Sequence, residues 1–403
     1  MTTLTQTDPQ PQTGTGQAAA RIVSRPLALV FLAEFCALSS FYLLVSVTPV
    51  YAATAGSGGA GLVTGVLLAG TVVAELASAV VMRRFAHRSV LVAGALLLGV
   101  PALLLHPGSA LGVIVAVSLV RGIGFGLSTV VAGALTAMLL PPERRGEGLG
   151  LYGVVATAPG IVALPLGVWL AGHFGGSVVI LATAVTALVP LAGLPWLPGG
   201  EDRGAREAAA DAQPTPLLES IRRSGQIRLA LIFASTTVAA GIVVSFLPLA
   251  AGVSGGLAAA GLLAQSLTAT VSRWWAGRFG DRHGHARLLA PSLLLSALAL
   301  GAMLWPTSAV AVLVGMSLFG VGFGIVQNAT FALMIERMPS AEAGTASALW
   351  NLAFDAGYGA GPAAFGLVVG HTGYPAAFIM TGAVMLAAVP AAGSRAGRTT
   401  RRA

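Results

Sequence analysis

The sequence predicts an all-α integral membrane protein with twelve transmembrane helices in two pseudo-symmetric six-helix bundles. Three observations carry that expectation: long apolar runs, a one-sided distribution of arginine, and an internal repeat. The 403 residues are 56% hydrophobic and 9% charged, with a mean hydropathy of +0.85. A soluble globule of this length needs more polar surface. The apolar runs are about twenty residues long and nearly free of charge, as a hydrocarbon layer of ~30 Å requires. Glycine, at 53 residues, suits helices that pack closely in lipid, where water does not drive association. The one cysteine, Cys36, has no partner for an internal disulfide and reads as a small buried hydrophobe.

Taken in order, residues 1–25 are rich in Thr, Gln and Pro and read as a disordered cytoplasmic tail. They lack the basic region and cleavage site of a removable signal peptide, so the first apolar run is expected to remain as a helix. Spans are expected over 26–52, 60–82, 89–106, 110–139, 148–172, 176–196, 227–252, 256–279, 287–304, 308–336, 344–370 and 373–393. This divides the chain into an N-terminal bundle (26–196), a cytoplasmic linker (197–226), a C-terminal bundle (227–393) and a basic tail (394–403). The linker carries "PLLESIRRSGQIR", a short amphipathic stretch suited to the membrane surface.

All 22 basic residues are arginine, which points to coding bias in a GC-rich genome. Apart from Arg121 and Arg273, they fall in the two tails or in the loops after even-numbered spans. The opposite loops, such as "TAGSGGAG" and "HPGSA", have none. By the positive-inside rule both termini lie in the cytoplasm of a cell membrane. The net charge of +8 is thus a topology signal, and no nucleic-acid partner is implied.

The repeat has an offset of 198 residues. "RGIGFGLSTVVAGAL" (Arg121–Leu135) aligns without a gap to "FGVGFGIVQNATFAL" (Phe319–Leu333). In the same register Pro141 meets Pro339, Gly146 meets Gly344, and Gly172-His173 meets Gly370-His371. Compositional bias would match Ala and Gly but not Phe, Pro and His, so the halves read as a duplication. "GRFGDRHGH" (Gly277–His285) has a degenerate copy in "AVVMRRFAH" (Ala79–His87), with Arg83 where the later copy has Asp281.

With these features the chain resembles the major facilitator superfamily over nearly its whole length. The family's loop motif, Gly-x-x-x-Asp-Arg-x-Gly-Arg/Lys, is matched by Gly277, Asp281, Arg282 and Gly284, with His285 in the last basic place. The first copy departs from it at Ala79, Arg83 and Ala86 and keeps Arg84. "RGIGFG", with Gly122, Gly124 and Gly126, is similar to the arginine-centred fourth-helix motif of proton-coupled members. "GYGAGP", with Gly357, Gly361 and Pro362, is similar to the Gly-Pro motif that drug:proton antiporters place in helix 5; helix 5 itself has Gly160 and Pro165 in "GIVALPLG". The resemblance implies alternating access, the halves rocking about a central site. It also implies a cytoplasmic clamp, in which an acid of the loop motif docks on a helix N-terminus of the other half. Asp281, held by Arg282 and Arg337, suits that role because a carboxylate is stabilised at a positive helix end. Arg83 is a cation and does not suit it; its other reading is a topology charge.

Ionisable groups inside spans are costly and are functional candidates by default. There are five: Glu34, Glu75, Arg121, Arg273 and Asp355. By helical rise Glu75 and Arg273, which are repeat partners, lie about 10 Å from the cytoplasmic ends of their helices, and Asp355 about 16 Å, nearest the midplane. Glu34 and Asp355 are the preferred proton or substrate-cation residues, because low dielectric favours a carboxyl that loads and releases a proton. Arg121 is expected to tune such a carboxylate or pair with an anionic substrate group, and Glu75 with Arg273 to form a charge network between the halves. For each, the alternative is a structural pair that fixes helix packing. His283-x-His285 is too isolated for a metal site, and no cofactor is implied.

The function expected is secondary transport by a monomer, with protons driving efflux of a small amphipathic or cationic compound. The alternative on the same fold is proton symport of a sugar, organic acid or other nutrient. A non-transporting receptor or scaffold would tolerate neutralising Asp355 and Glu34 together. A membrane enzyme would need a clustered nucleophile, metal or carboxylate set near one interface, and the sequence places none.

Overall fold

The computed structural model describes residues 23–55, 59–106, 108–140, 145–197, 225–250, 252–338 and 343–393. The expected tail through residue 22, the linker stretch through residue 224, the basic tail, Pro141 and Pro339 lie outside them.

Among the described residues the chain folds into twelve principal helices. They are α1 (Arg25–Ala55), α2 (Gly59–Arg84), α3 (His87–Leu104), α4 (Leu111–Leu139), α5 (Arg145–Phe174) and α6 (Gly176–Trp196), followed by α7 (Gln226–Leu249), α8 (Gly255–His283), α9 (Ala286–Leu304), α10 (Ala309–Glu336), α11 (Ala343–Thr372) and α12 (Tyr374–Ala387). Among the described residues there is no strand, and ten of the helices are long and apolar enough to cross a membrane unaided. The other two are α12, which is short, and α8, whose second half carries Arg273, Arg278, Asp281 and Arg282.

Local chemistry explains the ends. Ser24, Ser254 and Ser308 cap α1, α8 and α10, each side chain accepting a backbone N–H three residues on at 3.2–3.3 Å. Pro101, Pro190 and Pro248 enter the 3₁₀ turns that finish α3, α6 and α7, because proline cannot supply the helical N–H. Leu231, Leu298, Val310 and Leu367 point outward with their side chains largely exposed, as helices solvated by lipid require.

The duplication extends to contacts. Adding 198 to the bounds of α5 gives residues 343–372, the bounds of α11. Gly122, Gly124 and Gly126 of α4 face Leu67, Gly94 and Thr71; Gly320, Gly322 and Gly324 of α10 face Gln265, Ser292 and Ala269, each partner again 198 residues on. In every case a Cβ would press on backbone or near-backbone atoms, so the "GIGFG" glycines are the close-packing surface of α4.

One expectation changes. The second motif was read as a loop, but Gly277–His283 form the last two turns of α8, and the chain turns only at Gly284, with φ +90°. The first copy has Ala86 there, with φ −64°. The two halves therefore leave their second helix by different backbone routes, and Ala replaces Gly where no positive φ is needed.

The halves meet chiefly where α2 packs on α11 and α5 on α8. At the arginine-poor face they are closed. Thr64 and Ser245 hydroxyls bond across the seam at 3.0 Å, and the backbone of Gly61 lies so close to the Pro362 carbonyl that a Cβ would collide with it. Towards the arginine-rich face Val73, Leu76 and Val80 of α2 are exposed.

Candidate functional site

A cavity of about 640 Å³, its open mouth included, lies between the halves. Its N-terminal wall comes from Tyr42 of α1 and the 156–164 face of α5; its C-terminal wall comes from α7, α8, α10 and α11. The C-terminal side is the polar one, with Gln265, Thr270, Arg273 and Gln327 beside Phe323, Phe354 and Tyr358. Repeat symmetry is broken here by single residues: Tyr358 has Gly160 as its partner 198 positions earlier, Tyr42 has Ala240 as its partner 198 positions later, and all four line the cavity. Within the N-terminal wall Gly160 leaves room for the Tyr42 ring, which lies 3.4 Å from the Cβ position of that glycine.

Arg273 lines this cavity, and its Nη1 donates to Gln327 Oε1 at 3.3 Å. Among the described residues no carboxylate lies within ion-pair distance of it. Tyr42 lies in electrostatic range of both Arg273 and Asp355. Behind Tyr358, rings stack along α11 through Phe354 (5.4 Å) to Trp350 (6.2 Å), and Trp350 stacks on Phe233 of α7 at 4.5 Å. Trp350 is thus core support for the wall. Trp196 and Trp305 are exposed at helix ends, where belt residues sit.

The carboxyl groups of Glu75 (α2) and Asp355 (α11) face each other closely enough to interact. Asp355 is buried and Glu75 half-buried. An ionised carboxylate is only an acceptor, so a hydrogen bond between the two needs a proton on one of them. Of the five intramembrane ionisable residues, the structure brings these two together, across the seam. The sequence had grouped Glu75 with Arg273 instead.

Glu34 is elsewhere. Buried in α1, it accepts from the Tyr152 hydroxyl of α5 at 3.1 Å, and its second oxygen has no protein partner among the described residues. This contact lies inside the N-terminal half. Arg121 is also buried there, donating to the Leu98 carbonyl of α3 at 2.7 Å and the Ser40 carbonyl of α1 at 3.1 Å. It ties three helices of one bundle together.

At the arginine-rich face Arg83, Arg84, Arg282 and Arg337 are exposed. The Asp281 side chain is 77% exposed and lies 3.8 Å from His285 Nε2, while Nδ1 of the buried His285 ring is 3.0 Å from Glu336. The ring occupies the space a Cβ on Gly280 would fill. Among the described residues no group of three or more His, Cys, Asp or Glu is placed to hold a metal.

Sequence reasoning missed Tyr42, Gln265, Gln327 and Tyr358. Only ionisable groups were sought inside spans; amides and phenols there carry the same signal, since each must find a partner away from water. Gly357, Gly361 and Pro362 are accounted for by packing, with α7 pressed against both glycines and α2 against Pro362.

The family model described as Major Facilitator Superfamily matches residues 30–362. An uncharacterised MFS-type transporter of Salmonella typhimurium is 32% identical over 115 residues, covering 28% of this chain and 29% of that one, so the match spans under a third of that relative. Among solved structures, a D-xylose-proton symporter superposes with a TM-score of 0.73 at 16% identity, over 93% of this chain and 98% of its own. The inward-open xylose transporter of E. coli gives 0.71 at 16%, over 94% and 98%. A nucleoside transporter gives 0.71 at 13%, over 91% and 97%. At these identities the likeness is one of fold.

Proposed function

The chain belongs to the major facilitator superfamily, and we propose that it is a proton-coupled secondary transporter of a small amphipathic organic compound. The observation that carries this reading is the Glu75–Asp355 carboxyl pair, which bridges the halves beside the central cavity. With its proton the pair is a hydrogen bond between α2 and α11. Without it, two like charges face each other at contact distance, and the helices are driven apart. One proton thus biases the equilibrium between open and closed seams, which is what alternating access needs from its driving ion. Phe323, Phe354 and Tyr358 would hold the apolar body of the compound and Gln265 and Gln327 its polar groups. The arginine-rich face is taken as cytoplasmic, so the cavity opens inward, and the protein acts as a multi-pass monomer of the cell membrane.

Two modes of coupling fit a shared proton: efflux by antiport, and symport. One observation favours symport. The formally charged residue among those lining the cavity is Arg273, which repels the cationic amphiphiles that a proton antiporter would expel. The test is proteoliposomes with a trapped pH dye and a panel of amphipathic compounds, compared with the Glu75→Gln, Asp355→Asn double variant. Protons that travel with a compound in the native chain alone support symport; protons that travel against it support antiport. Compound flux without any proton flux would remove the coupling.

A further inference from the structure

We propose that Arg273 is the anchor for an anionic group on the transported compound, so that substrate and proton are carried together. The inference rests on the transporter reading above and adds the substrate's charge. Three features of the site support it.

First, among the described residues Arg273 has no acid to neutralise it. Its hydrogen bond is to the neutral Gln327 amide at 3.3 Å, and among the described residues no carboxylate lies within ion-pair distance. A guanidinium carries five N–H donors in a planar fork, and one of them is used by Gln327. A cation held between helices in this way is costly unless an anion visits it. Arg121 is the internal contrast: its cation is satisfied by two backbone carbonyls, of Leu98 and Ser40, and is closed into one bundle.

Second, Arg273 faces open space. It lines the central cavity with Gln265 and Gln327 on its own half, and Tyr42 comes towards it from the other. A flat anionic group such as a carboxylate or sulfonate can accept from the guanidinium fork and from an amide together. The aromatic wall of Phe323, Phe354 and Tyr358 is then placed for an apolar body attached to that group.

Third, the two intramembrane acids of the seam, Glu75 and Asp355, face each other rather than Arg273. An anion arriving at Arg273 cancels the positive charge of the cavity wall, and Tyr42, in electrostatic range of both Arg273 and Asp355, stands between that wall and the pair; the loss of the cation favours the pair's protonated form. Binding of anion and proton is therefore mutually reinforcing, which is the thermodynamic signature of symport. A cationic substrate would have the opposite effect.

The test uses three probes with one aromatic body: naphthalene-2-sulfonate, naphthalene-2-sulfonamide and trimethyl(2-naphthylmethyl)ammonium. The sulfonate carries no proton of its own near neutral pH, so a proton that moves with it must be carried by the protein. Binding is read from probe fluorescence anisotropy with the full-length purified chain, and flux from a pH dye inside proteoliposomes. The native chain is expected to bind the sulfonate about tenfold or more tighter than the sulfonamide, to bind the ammonium least, and to acidify the lumen when sulfonate enters. Arg273→Gln should erase the preference and Arg273→Lys should restore part of it; thermal melts identify any variant that fails to fold, and Arg273→Lys then carries the comparison. Preference for the ammonium, a sulfonate preference that survives Arg273→Gln, or no binding of any probe by the folded native chain overturns the anion site. Sulfonate held through Arg273 with no proton movement leaves the anion site standing and overturns the coupling. Protons that move with the neutral or cationic probe, regardless of Arg273, do the reverse.

Discussion

The carboxyl of Glu75 faces the carboxyl of Asp355 closely enough to interact, and this approach joins the two halves of the protein through α2 and α11. It lies on the arginine-rich side of a seam that is closed further out by Gly61 against Pro362 and by Thr64 with Ser245. The pair is therefore the inner end of the closed seam.

A single amide in the pair should preserve the contact and remove its response to pH. Glu75→Gln can still donate to Asp355, so the chain should fold and exchange substrate between equal concentrations at near-native rate. Proton-driven accumulation should fall by about tenfold or more, equivalent to ~1.4 kcal/mol of lost coupling. The measurement is counterflow against gradient-driven uptake in the same vesicles; equal losses in both would show that Glu75 serves packing.

Glu34 provides the contrast. Its partner is Tyr152 within one half, so Glu34→Gln should leave the proton stoichiometry unchanged and shift the melting temperature by a few degrees at most. Loss of proton flux in this variant, with Glu75→Gln still active, would move the proton site from the seam to the α1–α5 contact.

Much of the fold was legible because its causes are local. Span length follows from hydrocarbon thickness, and the arginines mark one face by their positions alone. The internal repeat then fixed a register that reappears as contacts, with Gly122 on Leu67 and Gly320 on Gln265. The site was less legible because it depends on helix rotation and on which helices cross the seam. Asp355 was identified as the deepest acid, but nothing in its own helix pointed to Glu75, 280 positions earlier. The cavity's polarity was hidden for a different reason: Gln265 and Gln327 are uncharged, and Tyr42 and Tyr358 read as ordinary apolar residues until their surroundings are known. The motif turn falls later than the expected end of the span at residue 279, because Gly277 and Gly280 stay helical where they pack against Asn328 and His285.

Arg121 should behave as a structural clamp. Replacing it with Gln would leave the Leu98 or Ser40 carbonyl buried without its donor, at a cost of about 1–3 kcal/mol. We expect a lower melting temperature with an unchanged ratio of protons to substrate. A normal melt with a changed ratio would instead give Arg121 a part in coupling.

Closing the arginine-poor face depends on glycine at the α2–α11 crossing. Gly61→Ala puts a methyl group against the Pro362 carbonyl, an overpacking cost of about 1–3 kcal/mol that falls on the closed seam alone. The variant should populate the opposite, outward-accessible state. A cysteine introduced at Thr64 in a Cys36→Ser background should then label faster from outside, by about tenfold for ~1.4 kcal/mol of shift. Unchanged labelling would show that the seam can relax around the added methyl.

Asp281 and Arg83 occupy equivalent places in the two halves and carry opposite charge. With the arginine-rich face open, Asp281 is largely exposed and touches only the edge of His285 among the described residues. A carboxylate so exposed contributes little to this state. Its proposed contribution belongs to the opposite state, in which the end of α8 would approach the N-terminal end of α5, where the helix dipole favours an anion and disfavours a cation. Asp281→Asn should therefore slow net transport severalfold while leaving thermal stability and the binding of substrate to the inward-open form unchanged. Arg83→Ala should have the milder effect, because an arginine at that place has no positive helix end to hold. Transport rates of the two variants in matched vesicles decide the matter: equal slowing would mean that the two motif copies act alike, and that the asymmetry between them carries topology alone.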